Sequence, residues 1–254
     1  MNEQQLVKLV AWIEDAKSIC FFGGAGVSTE SGVPDFRSKD GLYNQHDVQF
    51  DMYRPEYLLS HTCLVREPKV YYEYHRQKMD TRDIQPNMAH KYLTYLEKTG
   101  KLDCIVTQNI DGLHQKAGSK KVYEIHGSAL RNYCSSCGKK YPESYIFDSK
   151  EPVPHCECNG VIRPDIVLYE EGLPQEAVDA SIRSIASSDM LIVGGTSLTV
   201  YPAASFINYF HGRYLVVINR DPLNIQSSPE TLFITESIGE VFARVAEKQG
   251  VVIS

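Results

Sequence analysis

The chain has 254 residues, 43% of them hydrophobic and 23% charged, enough to bury the core of one large domain or of one domain with a small insert. Its 26 basic and 32 acidic side chains leave a net charge of -6, which argues against a direct nucleic-acid binder with a basic face and suits a basic, lysine-containing partner. No run approaches the roughly 20 apolar residues that span a bilayer, and Met1-Asn2-Glu3-Gln4-Gln5 lacks the basic start of a secretory signal, so a cytoplasmic protein without membrane attachment is expected.

Leu6, Leu9, Val10 and Ile13 recur at helical spacing and predict an amphipathic first helix. Ser18-Ile19-Cys20-Phe21-Phe22 follows, an apolar run with the composition of a buried parallel strand, broken at once by Gly23, Gly24 and Gly26. These glycines permit a tight turn and the close approach of a diphosphate, while Ser28 and Thr29 offer hydroxyls at the start of a short helix. Only half of a dinucleotide fingerprint is present, because the third glycine of G-x-G-x-x-G would fall at Thr29 and no acidic residue ends a second strand at the usual distance. On the glycines alone, a structural turn and a nucleotide site are about equally favoured.

Ser38 to Asp80 is rich in Tyr, His and charge, shows no strand-like alternation, and is expected to form a mainly helical insert. A helix is predicted from Pro86-Asn87-Met88-Ala89-His90, with Ala89, Tyr92, Leu93 and Leu96 on one face and Gly100 as its stop. Strands are predicted at Cys104–Thr107, Val122–Ile125, Ile166–Leu168, Met190–Gly195 and Tyr214–Asn219, with helices from near Pro174 and around Ile238, Val241, Phe242 and Val245. Strands alternating with helices imply parallel βαβ units, hence an α/β fold with a doubly wound parallel, Rossmann-like sheet. The polar motifs Gly24-Ala25-Gly26, Gln108-Asn109, His126, Gly195-Thr196-Ser197 and Asn219 all fall just past predicted strand ends, where such a sheet builds its site.

From Ser128 to Gly160 the periodicity disappears, and Cys134-Ser135-Ser136-Cys137 faces Cys156-Glu157-Cys158 across a polar loop. Four thiolates at this spacing suit one tetrahedral zinc, and a segment with almost no apolar core needs such a staple. Four protein ligands leave no open coordination position, so the metal is expected to be structural. His155, three residues before Cys158, leaves a Cys3His set as an alternative. A redox dithiol fits poorly, since it would follow a strand and open a helix. Cys20, Cys63 and Cys104 read as reduced, buried thiols.

The stretch GAGVSTESGVPDFR resembles the signature of the sirtuin family, the NAD-dependent protein lysine deacylases of bacterial type, and the resemblance continues through TQNIDGLH, His126-Gly127, the four cysteines, GGTSL and Ile218-Asn219. It implies a discontinuous NAD-binding domain of residues 1–37, 81–127 and 161–254, a helical insert at 38–80 and a zinc-binding module at 128–160. By resemblance, Gly24, Ala25, Gly26, Thr29, Phe36 and Arg37 line the NAD site, with Gly195, Thr196, Ser197 and Asn219 toward the adenosine half and Ile238 near the adenine. Gln108, Asn109, Ile110 and Asp111 would surround the nicotinamide and its ribose, with Asn109 and His126 as catalytic residues, His126 being the general base. The implied reaction converts acetyl-lysine proteins or peptides to free lysine with release of nicotinamide and O-acetyl-ADP-ribose.

Two departures from the family pattern stand out. Where many sirtuins read Phe-Gly-Glu in the substrate loop, this chain has Tyr169-Glu170-Glu171. Members preferring succinyl or malonyl groups carry Tyr and Arg three residues apart, whereas here Tyr72 is followed by His75, with Arg76 one position further on, so acetyl is the expected acyl group. An NAD-dependent ADP-ribosyltransferase and a non-catalytic zinc-ribbon adaptor are the rival readings; the second leaves Gly24-Ala25-Gly26, Asn109, Asp111 and His126 without a purpose. The sequence sets no oligomeric state.

Overall fold

The computed structural model describes residues 1–36 and 38–253. In chain order the strands are β1 (Ile19–Gly23), β2 (Leu102–Thr107), β3 (Val122–Glu124), β4 (Gly127–Cys134), β5 (Lys140–Pro142), β6 (Ile162–Ile166), β7 (Met190–Gly194), β8 (Tyr214–Ile218) and β9 (Thr231–Ile234). The helices are α1 (Glu3–Asp15), α2 (Pro55–Leu58), α3 (His61–Arg66), α4 (Pro68–Lys78), α5 (Met88–Lys98), α6 (Leu113–Ala117), α7 (Ser144–Phe147), α8 (Gln175–Ser187) and α9 (Ile238–Lys248). No helix among the described residues is long and apolar enough to cross a membrane.

Two sheets result. The larger is parallel throughout, in the order β3-β2-β1-β7-β8-β9, so the chain runs outward from β1 in one direction and then returns to build outward from β7 in the other. This is the doubly wound arrangement, and its reversal between β1 and β7 opens a crevice past their carboxyl ends. The smaller sheet is antiparallel, ordered β5-β4-β6.

Alternation along β1 explains why both faces of the large sheet are covered. Ile19 and Phe21 enter a core with Leu9 of α1, Leu93 of α5 and Phe242 of α9, while Cys20 and Phe22 enter another with Ile185 of α8 and Phe206. Each of these fully buried large side chains is worth about 1.5–3 kcal/mol in transfer free energy. Local signals start the helices: Asn2 accepts from the Gln5 N–H while its own N–H donates to the Gln5 side chain, and Asn87 with His90 does the same for α5. Cys20 and Cys104 are paired across β1 and β2 as free, buried thiols, and Cys63 is likewise free and buried.

The insert is less helical than its composition suggests. Residues 38–54 form turns with one short 3-10 segment at Leu42–Asn44, and helix begins only at Pro55. The remainder packs on the small sheet: Cys63, Tyr71 and Tyr72 share a core with Ala129, Ile146 and Ile166. Arg76 fastens the two together, donating to the carbonyls of Ile146 (2.8 Å), Glu151 (2.7 Å) and Pro152 (3.3 Å). Strand β6 pairs with β4 in the small sheet, and only after Ile166 does the chain rejoin the large one.

Candidate active site

The first strand ends in Gly23, where a Cβ would lie 2.5 Å from the Phe21 ring. At the reversal point the Gly26 N–H donates to the Gly195 carbonyl at 2.7 Å, and the Gly24 N–H to the Gly194 carbonyl at 3.2 Å. Gly195 has φ +57, and a Cβ there would lie 2.4 Å from the Val27 nitrogen. The two halves of the sheet therefore touch through bare backbone, which leaves a groove above the strand ends that side chains do not fill.

A cavity of about 580 Å³ occupies that groove. Its floor is Gly24, Ala25, Gly26 and Thr29 from the first half, with Gly195, Thr196 and Ser197 from the second. Gln108, Asn109, Ile110, Asp111 and His126 form one end, Asn219 and Ile238 the other, and Phe36 stands at the rim. Arg37, the remaining residue expected here, lies outside the described residues. The size is that of a small-molecule site, and its long form, from His126 to Ile238, fits a ligand of two linked halves over a glycine floor that a Cβ would obstruct.

Beneath the His126 end lies a buried polar network. Ser28 Oγ donates to the Asp111 carboxylate at 2.6 Å and accepts from Asn109 Nδ2 at 3.1 Å, with His90 Nε2 3.5 Å away. Asp111 also accepts from the Leu113 N–H at 2.9 Å, which ties it to the start of α6. Burial raises the Asp111 pKa, opposed by the Ser28 and Leu113 hydrogen bonds. His90 is pushed down to about 4 by burial, and His114, tilted against it with ring centroids 4.8 Å apart, is driven well below the ordinary range for the same reason. Both imidazoles are neutral, so this layer adds no positive charge behind Asp111. Asn109 spends its amide N–H on Ser28, which leaves its side-chain oxygen as an acceptor toward the cavity. Sequence reasoning offered Ser28 only as a hydroxyl of the glycine turn, and it did not join His90 or His114 to the site.

His126 follows β3, and its Nδ1 lies 3.0 Å from the Gln108 carbonyl. A carbonyl only accepts, so Nδ1 carries the proton and Nε2 is the free base. Burial lowers the His126 pKa, partly offset by the Gln108 bond, which favours the neutral form near pH 7. Gln108 in turn donates from Nε2 to Thr196 Oγ1 at 3.0 Å, linking the two halves of the cavity floor. The Val167 N–H donates to the His126 carbonyl at 2.9 Å, setting the segment after β6 beside the base.

The four cysteine sulfurs converge at the far end of the small sheet. Cys134 and Cys158 are 3.5 Å apart, Cys137 and Cys156 3.6 Å, and all four lie within 4.8 Å of one another. Sulfurs about 2.3 Å from a tetrahedral zinc are separated by about 3.8 Å, so the set fits one ion and is too widely spaced for disulfides. The Ser136 and Cys137 N–H groups donate to the Cys134 sulfur, and Tyr141 Oη donates to the Cys156 sulfur at 3.0 Å, contacts that stabilise thiolates. His155 is exposed and outside the cluster. The purified protein is expected to carry one zinc per chain by elemental analysis, and Cys158→Ser to lose it together with thermal stability; a Cys158→Ser protein with full metal and an unchanged Tm would contradict the assignment.

Comparison with known proteins agrees with this geometry. Residues 24–202 match the model of the Sir2 family. An NAD-dependent protein deacetylase of Clostridium acetobutylicum is 50% identical over 242 residues, covering 95% of this chain and 96% of its own length. One from Cutibacterium acnes is 47% identical, with 94% and 96% covered. Among solved structures, a Sir2 mutant with a deacetylated peptide and 3'-O-acetyl ADP-ribose superposes with a TM-score of 0.87 at 32% identity, covering 97% of this chain and 99% of that one. Sir2 bound to acetylated peptide gives 0.85 at 31% identity, with the same coverage. From its strand order, its glycine-floored cavity and these relatives, the chain belongs to the Sir2 family.

Proposed function

We propose that this chain is an NAD-dependent protein lysine deacetylase, which moves the acetyl group of an acetyl-lysine side chain to ADP-ribose and releases nicotinamide and O-acetyl-ADP-ribose. NAD supplies an electrophilic ribose C1′ as nicotinamide departs. The chain's residues hold and deprotonate: Gly24, Ala25, Gly26, Gly195, Thr196 and Ser197 take the diphosphate side, Asn219 and Ile238 the adenosine, and Thr29, Phe36 and Arg37 the reacting half. Gln108, Ile110 and Asp111 position the nicotinamide and its ribose, and the Asn109 side-chain oxygen accepts from a ribose hydroxyl or water. His126 Nε2 takes the proton that turns a ribose hydroxyl into the nucleophile. The observation that carries this reading is the Nδ1 contact to the Gln108 carbonyl, which aims a neutral, basic Nε2 into a cavity shared with Asn109 and Asp111.

The discontinuous division into an NAD-binding body of 1–37, 81–127 and 161–254, an insert at 38–80 and a zinc module at 128–160 follows from this reading, the pairing of β6 with β4 favouring a later boundary near 166. A cytoplasmic setting suits its free thiols and thiolate cluster.

The acyl end favours a small, uncharged group. Ile110, Ile166 and Leu168 line the cavity around His126, while Tyr72 donates to the Ile162 carbonyl at 2.7 Å and His75 is buried, its pKa pushed down to about 3 by burial. Arg76 is committed to carbonyls of the small domain, so it does not meet an acyl carboxylate, whose desolvation would go uncompensated. With NAD and one peptide bearing either acetyl- or succinyl-lysine, the acetyl form should be turned over with the higher kcat/KM, nicotinamide release matching peptide deacetylation and O-acetyl-ADP-ribose identified by mass. A peptide that gained the mass of ADP-ribose would make the chain a transferase instead, and equal turnover of the succinyl form would refute the acyl argument.

His126→Ala is expected to keep the fold and NAD binding while lowering turnover roughly 10²- to 10⁴-fold, the usual cost of a lost general base. Because burial lowers the His126 pKa, the base stays unprotonated to more acidic pH, so the acid limb of wild-type kcat/KM should fall below the reference value of about 6.5. Near-wild-type turnover by the variant, or an acid limb above that value, would contradict the assignment.

A further inference from the structure

Two segments face each other across the mouth of the cavity, and each is tied internally. On one side Asp35 and Phe36 are tied to residues 38–43: the Leu42 N–H donates to the Asp35 carbonyl at 2.7 Å, the Tyr43 N–H to the Phe36 carbonyl at 2.9 Å, and the Ser38 N–H to the Asp35 carboxylate at 2.9 Å. The Phe36 and Tyr43 rings meet edge to face at 5.6 Å, which adds a side-chain contact to the backbone bond between the two residues.

On the other side Tyr169 is held from both flanks. Its N–H donates to the Leu59 carbonyl at 3.0 Å and its carbonyl accepts from the His61 N–H at 3.1 Å. Glu170 adopts φ +75, a conformation that favours glycine, and its carboxylate accepts from the Thr62 N–H at 2.9 Å and the Thr62 hydroxyl at 2.7 Å. Glu171 accepts from both terminal nitrogens of Arg163, at 2.7 and 2.9 Å, and from the Leu168 N–H at 3.0 Å. The Tyr169 backbone is thus pinned on both sides, and its side-chain hydroxyl lies 2.8 Å from the hydroxyl of Tyr43.

We propose that the Tyr43–Tyr169 hydroxyl pair is a latch between the two lips, which makes Tyr169 a positioning residue for the dinucleotide from the acyl-peptide side of the cavity. The oxygen of Tyr169 stands where the family's phenylalanine has none, so the latch is a property of this chain's departure from that pattern. The segment that carries Tyr169 is already held by Leu59, His61, Thr62 and Arg163, and through the latch it steadies Phe36 beside the dinucleotide.

The inference rests on the deacetylase reading, and Tyr169→Phe tests it by removing one oxygen while keeping the ring. Without any ligand, amide hydrogen exchange at Leu42 and Tyr43 should quicken by roughly fivefold, the scale of one net hydrogen bond. Calorimetry should show NAD affinity weakened by a similar factor, and steady-state assays a raised KM for NAD with kcat and peptide KM within about twofold of wild type. Tyr43→Phe should behave alike, and the double variant no worse than either single one. Wild-type exchange and NAD affinity in Tyr169→Phe, additive losses in the double variant, or an effect confined to peptide KM would each overturn the latch. A wild-type protein that bound NAD but released no nicotinamide would sink the deacetylase reading, with exchange and calorimetry still deciding the latch.

Discussion

The backbone contact between Gly26 and Gly195 is the constraint on which the rest of the molecule depends. Two strands that are adjacent in space but 171 positions apart, as Ile19 and Met190 are, end side by side with no side chain between them. The Gly26 N–H to Gly195 carbonyl bond holds the ends together, and a Cβ on either residue would drive into the other's main chain. Everything above the strand ends is therefore open, and everything below is packed: Phe21 and Phe22 are fully buried directly beneath the gap. The cavity is a consequence of the sheet's reversal rather than an accident of loop length.

The small sheet, with the helices packed on it, supplies what the large sheet lacks, a second wall. Its position is set by three kinds of interaction of unequal strength. The shared core of Cys63, Tyr71, Tyr72, Ala129, Ile146 and Ile166 contributes most, because apolar burial scales with area. The Arg163–Glu171 pair, partly buried and bidentate, fixes the segment after β6, and the carboxylate is held down to about 2 chiefly by that pairing against the opposing effect of burial. The zinc set closes the far end, where Cys134, Tyr141, Cys156 and Ile162 make too small an apolar cluster to stand alone. Exposed pairs such as Lys139–Glu157 add little.

Much of this was readable from the chain, for identifiable reasons. The run ending at Phe22 and the one ending at Val193 are buried on both faces, so their unbroken apolar composition marks parallel strands, and glycines mark where they stop. The cysteine spacing carried its own geometry. Strand β9 escaped notice because it is a four-residue edge in which only Leu232 and Ile234 are buried. Strand β4 was hidden by a register shift between Ser128 and Asn132 that destroys alternation. The Ser28, His90 and Asp111 layer was not legible, since its partners are 62 and 83 positions from Ser28 and each looks locally like something else: His90 reads as the first turn of α5 and Ser28 as a turn hydroxyl. Tyr43, in a segment expected to be helical, gave no sign that it would meet Tyr169.

The central claim is that the groove opened by the Gly26–Gly195 contact holds the dinucleotide, with its reacting ribose under His126. A crystal structure of the protein with NAD and an acetyl-lysine peptide tests it most directly. The account predicts the diphosphate against Gly24–Gly26 and Gly195–Ser197, the adenosine toward Asn219 and Ile238, and the ribose C1′ beside His126 and the acetyl group. Dinucleotide bound with its nicotinamide end at Asn219, or anywhere outside this groove, would contradict it.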